Sequence, residues 1–203
     1  MITRTIATAL AAVTAAAALA GCGSASGPTP TDATPSAAGV PANTHNQADI
    51  TFATEMVPHH IQAVAMSKLA ADHASSPQVK NLAGRIKSAQ RPEIDQLSGL
   101  LRSWNAPVPA TQAPGTGAMN GTGHADMAGM MSEQQMQQLG QTNGAAFDKM
   151  FLQMMINHHE GAVSMAKTER NGGQSPDARG LAQRIMTAQQ REIAEMHTML
   201  APW

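Results

Sequence analysis

A chain of 203 residues with a formal net charge of −1 has room for one domain plus tails and gives no electrostatic footprint for nucleic acid. A single cysteine excludes a disulfide framework and any thiolate cluster, so a metal site has to use His, Met, Asp or Glu. Tyrosine is absent, the aromatics are Phe52, Phe147, Phe151, Trp104 and Trp203, and methionine is high at 15.

The first 21 residues read as a secretion signal. Arg4 supplies a short positive region, and residues 5–20 are almost all Ala, Thr, Leu, Ile and Val. That run is too short and alanine-rich for a membrane span. It ends in Leu19-Ala20-Gly21-Cys22, which resembles a bacterial lipobox. Cleavage before Cys22 and lipidation of its thiol would hold the protein to the membrane on its extracytoplasmic face. Residues 22–45, rich in Ser, Thr, Pro, Ala and Gly, read as a flexible tether.

From about residue 46 the pattern is helical. Helix signals cover roughly 46–73 and 77–103, then roughly 133–170 with a candidate break near Gly144, then roughly 176–200. Ser76-Pro77 and Ser175-Pro176 each place an N-cap before a first-turn proline. Ser132 with Gln135 makes a capping box. Residues 105–131 hold Pro, Gly, Asn and scattered Met and read as a long linker.

The chain is duplicated. Residues 52–104 align without a gap on 151–203, with 20 identities in 53 positions and a constant offset of 99. Each copy is helix, tight turn, helix, giving a first hairpin over 46–104 and a second over 132–203. Core stripes run along Val79, Leu82, Ile86, Leu97 and Leu100, and along Leu181, Ile185, Met196 and Met199. Two amphipathic hairpins cannot bury their faces alone, so the pattern predicts an all-α four-helix bundle spanning 46–203.

Each copy carries adjacent histidines, His59-His60 and His158-His159. At about 100° per residue, His59 falls inside the stripe of Phe52, Met56, Ala63 and Met66, while His60 falls at its edge. Met56 lies three residues before His59 and four before His60, so the three can approach one point. Met155 repeats this beside His158 and His159. Glu93 and Glu192 interrupt the stripes of the second helices, where a carboxylate needs a partner. Counted from each turn, the Glu and the His pair lie nearly level. Stacking the halves about a pseudo-twofold axis brings both sets to mid-bundle.

Imidazole with thioether favours copper, as Cu(I) or Cu(II). Met66 and Met165 are further candidates or plain core residues. His124, Met127, Met130 and Met131 space possible copper donors along the linker. Glu93 and Glu192 either orient a ligand histidine or bind metal directly. A reading without metal is a His–Glu network that holds the hairpins in register. Pro58 stands inside the first helix, where Asn157 stands in the second copy, and marks a candidate kink. His45, His73 and His197 have no counterpart and read as surface residues.

These residues resemble a family of bacterial secreted domains of unknown function with a His-His motif. The resemblance rests on Met56, His59, His60, Ala63, Val64, Met66, Gln90, Glu93, Ile94 and Trp104. Their partners are Met155, His158, His159, Ala162, Val163, Met165, Gln189, Glu192, Ile193 and Trp203. It implies a ferritin-like bundle of two helical hairpins, and some members are copper-binding proteins linked to copper tolerance. The expected role is therefore copper capture, storage or transfer in the cell envelope, with a copper-transfer partner. Two alternatives remain: a ferritin-like redox enzyme with a di-metal centre, and a structural or interaction module without metal. The Glu-x-x-His motifs of di-iron bundles are missing, which weighs against the enzyme.

Overall fold

The computed structural model describes residues 44–111, 127–201 and 203. The signal sequence, Cys22, most of the tether and His124 lie outside the described residues. Five helices occur among them: α1 (Gln47–His73), α2 (Pro77–Ser103), α3 (Glu133–Gln141), α4 (Gly144–Gly172) and α5 (Pro176–Leu200). The bundle is all-α, as the repeat predicts. α1 packs on α2, α4 packs on α5, and the two hairpins meet along α1 and α4.

Local chemistry sets the ends of these helices. Ser76 and Ser175 cap α2 and α5, with Pro77 and Pro176 in the first turn. The Ser132–Gln135 capping box starts α3. The break near Gly144 is real: Gly144 has φ +65°, a conformation that favours glycine, and it separates α3 from α4. α1 runs unbroken through Pro58, and α2 through Pro92.

A repeat-related pair of aspartates ties the hairpins together. Asp49 of α1 accepts from the backbone N–H of Gln174 (3.0 Å) and Ser175 (2.9 Å) in the second turn. Asp148 of α4 accepts from Ser75 N–H (3.1 Å), Ser76 N–H (2.9 Å) and the Ser75 hydroxyl (2.5 Å) in the first. Each central helix thus supplies the anion for the other hairpin's helix start, where orphan N–H groups and the helix dipole favour negative charge.

The apolar side chains form two cores. One gathers Phe52, Met56 and Val57 of α1, Ile94 and Leu97 of α2, Ala162 and Ala166 of α4, and Leu181 and Ile185 of α5. The other gathers Met66 and Ala70, Leu82 and Ile86, Phe151 and Met155, and Met196 from the same helices. Repeat mates such as Phe52 and Phe151, or Met56 and Met155, fall in opposite cores. α1 and α4 are therefore antiparallel and related by a pseudo-twofold axis. In α4, His158 and His159 sit in sequence between the two core segments; in α1 the changeover comes just after His59 and His60, where Ile61 and Val64 still belong to the first core and Ala63 and Met66 to the second.

One buried carboxyl breaks the symmetry. Glu169 is 1% exposed, receives no donor from the described protein, and stands where the first copy has Ala70. Burial, then the bond to Asp49 and its charge, push its carboxyl up from 4.5 to about 8. Burial also works against ionised Asp49, but the N–H groups of Gln174, Asn46 and Ser175, with Glu169, hold its pKa below the usual value. Between pH 4.5 and about 8 the folded state binds the Glu169 proton and the unfolded state does not. This group therefore makes stability fall as pH rises through that window. Glu169→Gln should remove that slope, so that the variant gains on the native protein in thermal unfolding at pH 9 relative to pH 5.

Candidate metal centre

All four histidines of the repeat are wholly buried. His60 is as buried as His59, although the helical wheel puts it at the stripe's edge. The reason is that α1 is covered on two sides. Its His59 face meets α4, and its His60 side meets α2. His59 and His158 face each other across the α1–α4 contact with ring centroids 3.7 Å apart and planes tilted by 39°. His158 and His159 have centroids 6.3 Å apart.

The two glutamates meet the other two rings. His60 Nε2 donates to Glu93 Oε2 at 2.8 Å, and His159 Nε2 donates to Glu192 Oε2 at 2.7 Å. The carboxylates are 17% and 18% exposed at the side chain, so each bond runs from the interior to the surface of its hairpin. The level placement from turn counting is correct, and the partner of each Glu is the second histidine of the pair.

His59 Nε2 donates to the backbone carbonyl of Ala128 at 3.2 Å. A ring that donates through Nε2 and is neutral carries its lone pair on Nδ1. Burial, then neighbouring His60, hold the His59 pKa down at about 3, and burial with His59 holds that of His158 well below the usual value. Both facing rings are therefore neutral at physiological pH. Nδ1 of His59, His60 and His159, and both ring nitrogens of His158, have no partner within the described protein. Unpaired buried acceptors of this kind cost roughly 1–3 kcal/mol each unless something else satisfies them.

Met56 and Met155 are wholly buried one turn before the histidines, one in each core. Met66 is a buried core residue, while Met165 is half-buried against the opposite core. Met131 is buried in the core beside Phe151, and Met127 and Met130 are half-buried. The end of the linker, 127–131, is thus laid against the bundle rather than hanging free. The Gln62 amide clamps Met131, accepting from its N–H at 2.7 Å and donating to its carbonyl at 2.8 Å. His73, expected at the surface, stacks on Phe147 with centroids 5.6 Å apart.

Two buried side chains belong beside those singled out by periodicity. Gln90 and Gln189 are repeat mates, 2% and 3% exposed, and neither amide has a partner in the described protein. Each precedes its glutamate by three residues, so both lie on the same helix face. A polar residue in an apolar stripe was the available signal, the same one that marks Glu93. Among the described residues, no three His, Cys, Asp or Glu side chains converge as a ready ligand set. The donors at hand are the imidazoles of the facing His59 and His158, which suit Zn, Cu, Fe and Ni, and the soft thioethers of Met56 and Met155 one turn away. That set fits copper in the ligand-softness order.

The model of the domain of unknown function DUF305 matches residues 49–200. The chain belongs to the DUF305 family. Among solved structures, a DUF305 protein from Streptomyces coelicolor described as secreted is 32% identical. It has a TM-score of 0.66 over 79% of this chain and 94% of its own. A DUF305 fragment from Deinococcus radiodurans is 28% identical, with a TM-score of 0.67 over 78% of this chain and 98% of its own. CopM in its Cu(II)-bound form is 29% identical, with a TM-score of 0.63 over 76% of this chain and 97% of its own. CopM has also been solved in a Cu(I)-bound form, at 28% identity. No curated protein sequence matches the chain.

The hydrogen-bond pattern separates the roles of the rings in the metal-free protein. Glu93→Ala should strand the buried Nε2–H of His60 and cost about 1–3 kcal/mol. His158→Leu removes a ring whose nitrogens have no hydrogen-bond partner among the described residues and should be close to neutral or stabilising. Urea unfolding of the two variants without metal checks both, and a larger loss for His158→Leu would contradict this assignment.

Proposed function

We propose that this DUF305 protein binds copper in the layer between its two cores, and that it captures, stores or transfers copper at the outer face of the membrane. The observation that carries the reading is the set of buried imidazoles with unpaired ring nitrogens, flanked by thioethers. His59 and His158 are the leading ligands. His60 and His159 have Nε2 engaged by Glu93 and Glu192, so they would offer Nδ1. In this arrangement the glutamates are orienting groups rather than ligands, as carboxylates commonly are behind a metal-bound histidine. Met56 and Met155 supply thioether, which suits Cu(I). Met66 and Met165, with His124, Met127, Met130 and Met131 of the linker, are secondary candidates for copper in transit.

The copper bound by CopM, a structural relative at 28–29% identity, supports the choice of metal. The Leu19-Ala20-Gly21-Cys22 sequence supports a lipid anchor through Cys22, and the relative described as secreted supports an extracytoplasmic site. No helix among the described residues is long and apolar enough to cross a membrane, so membrane attachment in this reading rests on the lipid. A role in copper tolerance follows, with a partner that accepts or delivers the ion. A redox di-metal enzyme fits less well, because each glutamate already bonds a histidine of its own hairpin.

Titration of the mature protein anaerobically with Cu(I) and aerobically with Cu(II) tests this. The native protein should bind, and a variant with both His59→Ala and His158→Ala should lose at least about tenfold in affinity. Undiminished binding in that variant would move the site to the linker, and no binding by the native protein would end the copper reading.

A further inference from the structure

One repeat position holds two unlike residues, Gln62 and Gly161, and both touch the same five-residue segment. Gln62 clamps the Met131 backbone through two hydrogen bonds. Gly161 makes room for Ala128: a Cβ there would lie 1.9 Å from the Ala128 carbonyl oxygen. Gly129 has φ +79° and fits equally tightly, since a Cβ on it would lie 2.5 Å from the Asn157 carbonyl. The segment is therefore seated on α4 through two glycines and tied to α1 through one glutamine. Its Ala128 carbonyl lands on His59 Nε2 at 3.2 Å.

That contact has a chemical equivalent on each side. Glu93 takes the Nε2–H of His60, Glu192 takes that of His159, and Ala128 takes that of His59. His158 alone of the four has both nitrogens unpaired among the described residues. We infer that residues 127–131 are a positioning strap for His59, seated by Gln62 and Gly161, whose Ala128 carbonyl fixes the ring with Nδ1 as its free ligand nitrogen.

The backbone carbonyl does for His59 what a carboxylate does for the outer two histidines. It adds no negative charge next to the facing pair, where either ring is neutral. The duplication built two equal layers of ligand-type residues, and the strap makes them unequal. His59 is held in one tautomer, while His158 is free to adopt either. A soft metal ion arriving at the layer then meets one preset imidazole and one adaptable one. This role in metal binding rests on the copper reading above, but the hold on His59 does not.

The test uses the metal-free and copper-loaded mature protein with Gly161→Ala and Gln62→Ala. Gly161→Ala places a methyl group in a helix interior, which favours the helix, and pushes on the strap alone. Gln62→Ala releases the strap from the opposite helix, so the two variants fail for different reasons. Long-range ¹H–¹⁵N correlation spectra report the tautomer of each histidine. The native metal-free protein should show His59 as the Nε2–H form. Both variants should shift His59 to a mixture, leave His60 and His159 unchanged, and weaken Cu(I) binding by about 10–100-fold. An unchanged His59 tautomer in both variants overturns the inference, even where copper affinity falls, because a loss of packing alone would do that. Tautomers that shift as expected in a native protein that binds no copper would overturn the copper reading and leave the strap's hold on His59 standing.

Discussion

Everything in this bundle is arranged around the burial of four imidazoles with too few partners. Two apolar cores lie on either side of them, built from opposite halves of the same four helices. A core made entirely of apolar residues would avoid the cost of unpaired ring nitrogens, roughly 1–3 kcal/mol for each. The fold leaves five such ring nitrogens on the four rings without a partner among the described residues, and adds two buried glutamines with unpaired amides. Sites that break the rule of satisfied burial are where function is expected, because the missing partner is then supplied from outside the chain. Here the unpaired atoms are imidazole nitrogens, with thioethers one turn away, and the proposed copper site rests on that combination.

Duplication explains how such a layer can form and where it departs from symmetry. An offset of 99 residues places Phe52 with Phe151, Met56 with Met155 and Asp49 with Asp148. Antiparallel packing of α1 on α4 brings His59 and His158 face to face, while His60 and His159 turn to the glutamates of their own hairpins. The aspartates lock that register, since each caps the turn of the opposite hairpin. The departures are local and chemical. Glu169 replaces Ala70, and burial beside Asp49 raises its carboxyl pKa. Gly161 replaces Gln62, and the two together seat a segment that a perfect repeat has no means to accommodate once.

Much of this was legible in the residues. The gapless repeat, the paired Ser-Pro starts and the apolar stripes give the helix ends to within a residue or two. Turn counting puts Glu93 and Glu192 level with the histidines. What escaped was the identity of contacts across helices. A helical wheel ranks His60 as an edge residue because it treats α1 as covered from one side, whereas α2 and α4 cover it from two. Glu93 therefore meets His60 and not His59. Segment 127–131 reads as linker from its Gly and Met content, and no periodicity reveals that a glutamine 69 residues earlier holds its backbone. Gln90 and Gln189 carried the same signal as the glutamates, a polar side chain in an apolar stripe, but a neutral amide is a weaker alarm than a charge.

The most direct test of the proposed copper site is to locate the metal in a crystal of the copper-loaded protein. Anomalous diffraction measured at the copper edge should give a peak between the two cores, within bonding distance of ring nitrogens of His59 and His158. Copper peaks confined to the strap methionines or the outer surface, with none in the layer between the cores, would contradict the account.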